Sequence, residues 1–448
     1  MEEARLKQLI IEHKERFLTK SDLVKREIQS QINNFLKHKE IIVITGIRRG
    51  GKSSLMKLIA NDIIEKFKIP QDNILYLNFE DERFTDFTFQ DFEKIYEIFL
   101  EIYSPYGRKY FFLDEIQNIT GWEKWVNRLH QFEDIKIFVT GSNATLLSSE
   151  ISTALVGRNR QLTNWPFSFR EFLLLRNFSI SEKDIYLREK KIKLKNSFKE
   201  YLKLGSFPEV LKIKDTTLLE QYFKDIIYRD VIVRYSIRNP KELKELCLYL
   251  ASNIATIYSY ENLKDFIKAK NINTIKNYIE ILENVFLFFR VNRFDYSIRK
   301  QIYNPGKFYS IDIALSNSIG FRFSENLGHI YENIVFLELK RKNEELYYWK
   351  SKTGKEVDFV LKKGLKIEEA IQVSFNLSDI RTKNREIEAL LDAKNELKVN
   401  KLTLITEDKE EEEKIGNTKI KIIPLWKWLL LEIVTIYFDT FCNYILLI

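Results

Sequence analysis

The chain has 448 residues, 45% of them hydrophobic and 30% charged, and a formal net charge of +8. That is enough for two or three domains with buried cores, and seven prolines and fourteen glycines argue against long flexible linkers. Cys247 and Cys442 stand far apart, and His13, His38, His130 and His329 form no cluster, which argues against a disulfide framework and against a histidine–cysteine zinc site. The basic balance permits an anionic partner without requiring one.

The N-terminus, MEEARLKQLI, is charged from residue 2 and has no signal-peptide core, so the expected location is the cytoplasm. Residues 41–45, IIVIT, are a short β-branched run that predicts a buried strand. GIRRGGKSSL follows at 46–55, and residues 52–67 carry apolar residues at helical spacing. NILYLNF (73–79) predicts a strand, residues 89–103 a helix, and KYFFLDE (109–115) and DIKIFVT (134–140) two more strands. Strands alternating with helices predict an α/β domain whose parallel sheet is covered on both faces. From about residue 181 the pattern is charged and helical as far as about 290, then mixed with strands to about 428. The acidic run EDKEEEE (407–413) reads as a solvated loop. Residues 429–448, LLLEIVTIYFDTFCNYILLI, are almost long enough to cross a bilayer, but as a helix they align Glu432, Asp439 and Asn443 on one stripe. That pattern favours a helix packed on protein or on a second copy, with a membrane anchor as the alternative.

Gly46, four residues, then Gly51, Lys52 and Ser53 match the spacing of a phosphate-binding loop, after a strand and opening a helix. Glycines let backbone N–H groups turn toward phosphate oxygens, and the helix N-terminus adds partial positive charge. The expected nucleotide-binding set is Gly46, Ile47, Arg48, Arg49, Gly50, Gly51, Lys52, Ser53 and Ser54. Lys52 would reach the β- and γ-phosphates of ATP, and the Ser53 hydroxyl would ligate Mg²⁺. Arg48 and Arg49 occupy variable loop positions, so their side chains are expected to point outward, toward a lid, a neighbouring domain or another subunit. In KYFFLDEIQ, Asp114 is placed to hold Mg²⁺ through water and Glu115 to deprotonate the attacking water. At the end of IFVTGSN, Ser142 or Asn143 would sense the γ-phosphate, with a simple strand-to-helix cap as the equal alternative. Arg158 reads either as an arginine finger, in cis or in trans, or as a surface arginine.

GIRRGGKSS, LNFED, FFLDEIQ, VTGSN, the VGR near 158 and WPFSFREF together resemble a family of AAA-type P-loop ATPases widespread in archaea and bacteria. GSFPEV, IIYRDVIVRY, GHIYENIVFLEL, GKEVDFV and IPLWKWLL extend the resemblance over roughly residues 10–430. It implies a strand inserted between the loop strand and the DE strand, then a helical and winged-helix section, then a domain related to the PD-(D/E)XK nuclease fold. The expected division is 1–200 for the ATPase domain, 201–315 for the helical and winged-helix domain, 316–428 for the nuclease-like domain and 429–448 for the apolar helix. Residues 258–294 have winged-helix rhythm, and residues 256–310 hold nine Lys/Arg against five Asp/Glu. Lys270, Lys276, Arg290 and Arg293 are the candidate DNA contacts, with packing against protein as the alternative use. In a working nuclease of that fold, the strand at 368–375 would carry an acid, any residue, then lysine. Here it reads Gln372-Val373-Ser374, so Glu332, Glu356, Asp358 and Glu369 make an incomplete metal constellation. The expectation is an Mg²⁺-dependent ATPase with an inactive nuclease-like domain, DNA or protein as partner, and self-association allowed. The alternatives are an ATP-dependent switch with little turnover, and a nucleic-acid-cleaving enzyme.

Overall fold

The computed structural model describes residues 1–143, 157–181, 183–320 and 326–431. The chain divides into two units, Met1–Phe167 with Asn284–Phe286, and Ser168–Glu283 with Leu287–Ile448. The division at 167/168 falls earlier than the expected boundary at 200.

The first unit is built on a parallel sheet of β1 (Ile41–Thr45), β2 (Ile74–Asn78), β3 (Lys109–Asp114), β4 (Ile135–Gly141) and β5 (Asn159–Thr163), in the order β2-β3-β4-β1-β5. The strand between the loop strand and the DE strand is therefore β4, and it pairs in parallel with both. Every residue of β1 and β4 is buried. Both strands are consequently mainly apolar, as a sheet covered on two faces demands, with Lys136 and the threonines near their ends as the polar exceptions. Among the described residues, five helices accompany the sheet: α1 (Glu3–Leu18), α2 (Gln29–Asn34), α3 (Lys52–Phe67), α4 (Asp91–Tyr103) and α5 (Trp122–Phe132). Alternation along β1 sends Ile41 and Val43 into a core with Leu9, Phe92 and Trp125, and Ile42 and Ile44 into a core with Leu55, Ile59 and Phe112.

The second unit contains a three-stranded antiparallel sheet of β6 (Thr256–Tyr258), β7 (Phe288–Val291) and β8 (Gly306–Ser310), ordered β6-β8-β7. Three helices, Pro240–Ser252, Tyr260–Ile267 and Ile272–Asn284, precede and interleave with it. A six-stranded mixed sheet follows: β9 (Glu345–Lys350), β10 (Glu356–Lys363), β11 (Lys366–Val373), β12 (Lys401–Thr406), β13 (Glu411–Ile415) and β14 (Thr418–Pro424). Its order is β13-β14-β12-β11-β10-β9, and the helix Ile380–Leu397 packs Ile387 and Leu390 onto Val357, Val360, Leu402 and Leu404. The acidic run is a loop only in its first half, residues 407–410: Glu411–Ile415 is the edge strand β13, paired with β14 and held by Lys383 on Glu411 and Glu413. Charged side chains on an edge strand discourage pairing with other chains.

No helix among the described residues is long and apolar enough to cross a membrane. The apolar tail from residue 432 onward lies outside the described residues.

Candidate nucleotide site

β1 delivers the chain into the loop at Thr45, and Gly51 caps α3. Gly46 and Gly51 hold φ of 147° and 91°, and Arg49, unusually for a side-chain-bearing residue, holds 65°. A Cβ on Gly46 would lie 2.3 Å from the carbonyl oxygen of Asn164, so position 46 admits only glycine. Asn164, just after β5, also braces the loop: its N–H donates to the Thr45 carbonyl at 2.7 Å and its Nδ2 to the Gly50 carbonyl at 2.9 Å. No motif or periodicity in the sequence marks this residue.

Lys52 is buried, and its Nζ donates to the carbonyls of Gly46 at 3.1 Å and Ile47 at 3.3 Å. The same ammonium lies 3.2 Å from Glu115 Oε1. Asp114, the last residue of β3, is buried and accepts hydroxyls from Tyr76 at 3.0 Å and from Thr140, with the Ser53 hydroxyl near enough to favour its charged form. The Thr140 oxygen accepts in turn from the Glu115 N–H at 2.9 Å, which links the tips of β3 and β4. Glu115 stands in left-handed backbone with φ 49°. Its carboxylate accepts from Gln117 Nε2 at 2.5 Å and from the Ser142 N–H at 3.2 Å.

These surroundings separate the two carboxylates. Burial and the neighbouring Glu115 charge push Asp114 above the usual range, opposed by the Ser53 and Thr140 hydroxyls and by Lys52. Burial also works against ionisation of Glu115, but Lys52, Gln117 and Arg48 outweigh it and hold that carboxyl below its ordinary value.

Ser53 and Ser54 line a cleft of about 350 Å³ with His13, Arg16, Tyr76 and Asn78. Ser142 and Asn143 are buried at the tip of β4, beside Glu115 in the first case through the backbone N–H. Arg49 is exposed, but Arg48 is not turned outward as expected: Nη1 donates to Glu80 Oε1 at 2.6 Å, with the guanidinium close enough to stabilise Glu115. The Glu80 and Glu115 charges draw it inward.

Arg158 requires correction as a finger in cis. Its carbonyl accepts from the Ile41 N–H at 2.8 Å and its Nη1 donates to Asn127 at 2.5 Å, so it sits where β1 begins. The loop lies at the other end of β1, roughly 16 Å away at about 3.3 Å per residue. Two DNA candidates are corrected as well. The Arg290 guanidinium donates to Asn292 and, at 2.7 Å, to the Asn304 carbonyl, and the Arg293 guanidinium donates to the Lys350 carbonyl at 2.7 Å. Both satisfy internal acceptors that would otherwise be stranded. Lys270 is exposed, and Lys276 is half-buried with Nζ 5.5 Å over the Tyr260 ring. Of the four candidate metal carboxylates in the C-terminal region, Glu369 stands apart: it accepts from Thr403 at 2.6 Å and pairs with Lys401 at 2.6 Å.

Comparison with known proteins agrees with this geometry. A family model described as AAA domain matches residues 38–173, and models for two domains of unknown function, DUF8612 and DUF4143, match 195–325 and 327–428. The region likened above to a nuclease fold is thus matched only as a domain of unknown function. An uncharacterized protein of Methanocaldococcus jannaschii is 37% identical over 427 residues, 91% of each chain. An uncharacterized protein of Haemophilus influenzae is 30% identical over 421 residues, 92% of this chain and 98% of its own. Among solved structures, the Aeropyrum pernix ORC1 protein in complex with DNA aligns at 11% identity and a TM-score of 0.30, over 68% of this chain and 95% of that one. The ADP form of the Aeropyrum pernix ORC2 protein aligns at 13% and 0.33, over 61% and 90%. Likeness at these scores carries no weight for function. With the loop and the Asp114–Glu115 strand end in place, and with relatives matched over nearly their whole length, the chain belongs to the AAA-type P-loop family that includes the Methanocaldococcus jannaschii and Haemophilus influenzae proteins.

Proposed function

We propose that the protein binds Mg-ATP at residues 46–54 and hydrolyses it, with Glu115 as the base that takes the proton of the attacking water. The observation that carries the reading is the meeting of Lys52, Ser53, Asp114 and Glu115 at one end of the sheet, with Lys52 Nζ 3.2 Å from the Glu115 carboxylate. The donor set suits Mg²⁺: a hydroxyl, Ser53, near a buried carboxylate, Asp114, beside a loop of backbone N–H groups. When bound, the ion would neutralise charge on the phosphate oxygens. Lys52 links binding to chemistry. A polyphosphate offers its ammonium more negative charge than one carboxylate does. Drawing Lys52 away would leave Glu115 without its strongest counter-charge, raise its proton affinity and make it the stronger base.

The test measures nucleotide binding and turnover separately. Glu115→Gln should keep ATP affinity and lose about 10²-fold or more in turnover, the usual scale for removing a general base. Lys52→Ala should lose affinity as well. Turnover surviving in both variants would overturn the site assignment.

A nucleic-acid partner is a second reading, favoured by one observation. A helix, a strand, two helices and a strand, then the short helix Ile298–Tyr303 and β8, with β8 between β6 and β7 in the sheet, are compatible with a winged-helix section. In it Lys270, Asn273 and Lys276 lie at the start of the helix Ile272–Asn284, where a groove-reading helix presents its contacts. The salt dependence of DNA binding is its test. Arg158 acts on a nucleotide, in this reading, only from a second copy of the chain.

A further inference from the structure

Away from the loop, a buried ammonium stands among three carboxylates. Lys307, in β8, places Nζ 2.8 Å from Glu332 Oε1, 2.7 Å from Glu356 Oε1 and 2.7 Å from Asp358 Oδ1. The four residues come from separate parts of the second unit: β8, the helix Leu327–Arg341 and β10. Lys307, Glu332 and Asp358 are almost completely buried, and Glu356 is about a quarter exposed. The remaining polar contacts are internal too. The Tyr309 hydroxyl donates to Glu332 Oε1 at 2.6 Å, and the Val373 N–H donates to Asp358 Oδ2 at 2.9 Å.

Three carboxylates cannot be buried together without a cation, because each would otherwise lose its hydration with nothing in return. The resemblance to nucleases implies a divalent metal in such a place. The residues present do not fit one. The carboxylate oxygens that would ligate it already meet the Lys307 ammonium, and a second, doubly charged ion would repel it at close range. Among the described residues no group of three or more acidic, histidine or cysteine side chains is arranged to hold a metal. The neutral residue on β11 fits the same account. Gln372 accepts from the Asp358 N–H at 3.1 Å and donates to Glu386 at 2.8 Å. A carboxylate there would add a fourth acidic group around a centre carrying one positive charge, whereas around a divalent ion it would be matched.

We propose that Lys307 is a resident cation standing in the place of a divalent metal, so that the Glu332–Glu356–Asp358 cluster is closed to metal and the C-terminal domain does not cleave nucleic acid. The cluster instead fastens β8 to β10 and to the helix Leu327–Arg341. This inference is independent of the ATPase reading.

Mn²⁺ titration of the full chain, followed by the electron paramagnetic resonance of the free ion, tests it up to about 1 mM, the range of weak oxygen-donor sites. Wild type should show no Mn²⁺ site that depends on Asp358. Lys307→Met should gain one Mn²⁺ per chain, and Lys307→Met/Asp358→Asn should lose it again. Mn²⁺ should raise the Tm of Lys307→Met and leave that of wild type unchanged. If Lys307→Met does not fold, Lys307→Met/Glu356→Gln reduces the unbalanced charge and keeps two carboxylates for the ion; gain of Mn²⁺ supports the proposal and its absence overturns it. A Mn²⁺ site in wild type that Asp358→Asn removes, or divalent-dependent cutting of DNA or RNA lost in that variant, overturns it outright.

Discussion

Two buried lysines of the first unit show how the surroundings of one residue decide its worth. Lys136 is fully buried, and its Nζ donates to the carbonyls of Phe35 at 2.8 Å, His38 at 3.0 Å and Glu40 at 2.6 Å. Lys14 is also buried, yet among the described residues its Nζ has no hydrogen-bond acceptor and instead faces the Tyr103 ring at 3.3 Å and the Phe99 ring at 5.9 Å. Burial pushes both ammonium groups down to about 8 from an ordinary 10.5. Lys136→Met should be destabilising by about 3 kcal/mol, since it strands three carbonyls at about 1 kcal/mol or more each. Lys14→Met should instead raise the Tm at pH 7. The sign of its pH dependence follows from the lowered value. Between pH 8 and 10.5 the unfolded chain binds the proton that folded Lys14 has shed, so folding gains as pH rises through that window. The advantage of Lys14→Met should therefore shrink between pH 8 and pH 10 in thermal melts. An advantage that grows with pH would show that the Tyr103 ring compensates the buried charge.

At the scale of elements, the loop depends on a strand the sequence hides. β5 reads NRQLT, mostly polar and partly exposed, because it is the edge of its sheet with one neighbour, β1. No apolar run or alternation marks it. Yet it brings Asn164 beneath the loop, where the side chain holds the Gly50 carbonyl and the backbone oxygen excludes any side chain at position 46. Asn164→Ala should leave the fold intact, at a cost of about 1 kcal/mol for one lost hydrogen bond. It should also weaken ATP binding about 10-fold by loosening the loop, as read by nucleotide titration. Unchanged affinity would mean that α3 and β1 alone set the loop's shape. The loop itself was legible because its glycines, lysine and serine are neighbours in sequence, and the Asp114–Glu115 pair because it ends an apolar strand. β13 was not, since its EEEKI pattern is written by charge on an edge rather than by burial.

For the whole molecule, charge is the quantity that bears on a partner. Of the four basic residues expected to meet DNA, Arg290 and Arg293 hold backbone carbonyls, which leaves Lys270, just before the helix Ile272–Asn284, and Lys276 within it. Lys270→Ala/Lys276→Ala should weaken DNA binding and reduce the slope of log K against log salt by up to about 2, near one for each phosphate no longer neutralised. An unchanged slope would leave the helix Ile272–Asn284 a packing element. The sequence by itself determined the α/β class of the first unit, its phosphate loop and its acid pair, because each is a local pattern with a local physical cause. Only the tertiary structure decided what lies far apart in sequence. It turned Arg48 toward Glu80, set Arg158 at the far end of β1, slid Asn164 under the loop, and brought Lys307 to carboxylates up to 51 residues away. For Asn164 and Lys307 the reason is the same: a buried charge or polar group is costly unless an opposite one meets it, and the chain supplies that partner from wherever the fold brings it within about 3 Å.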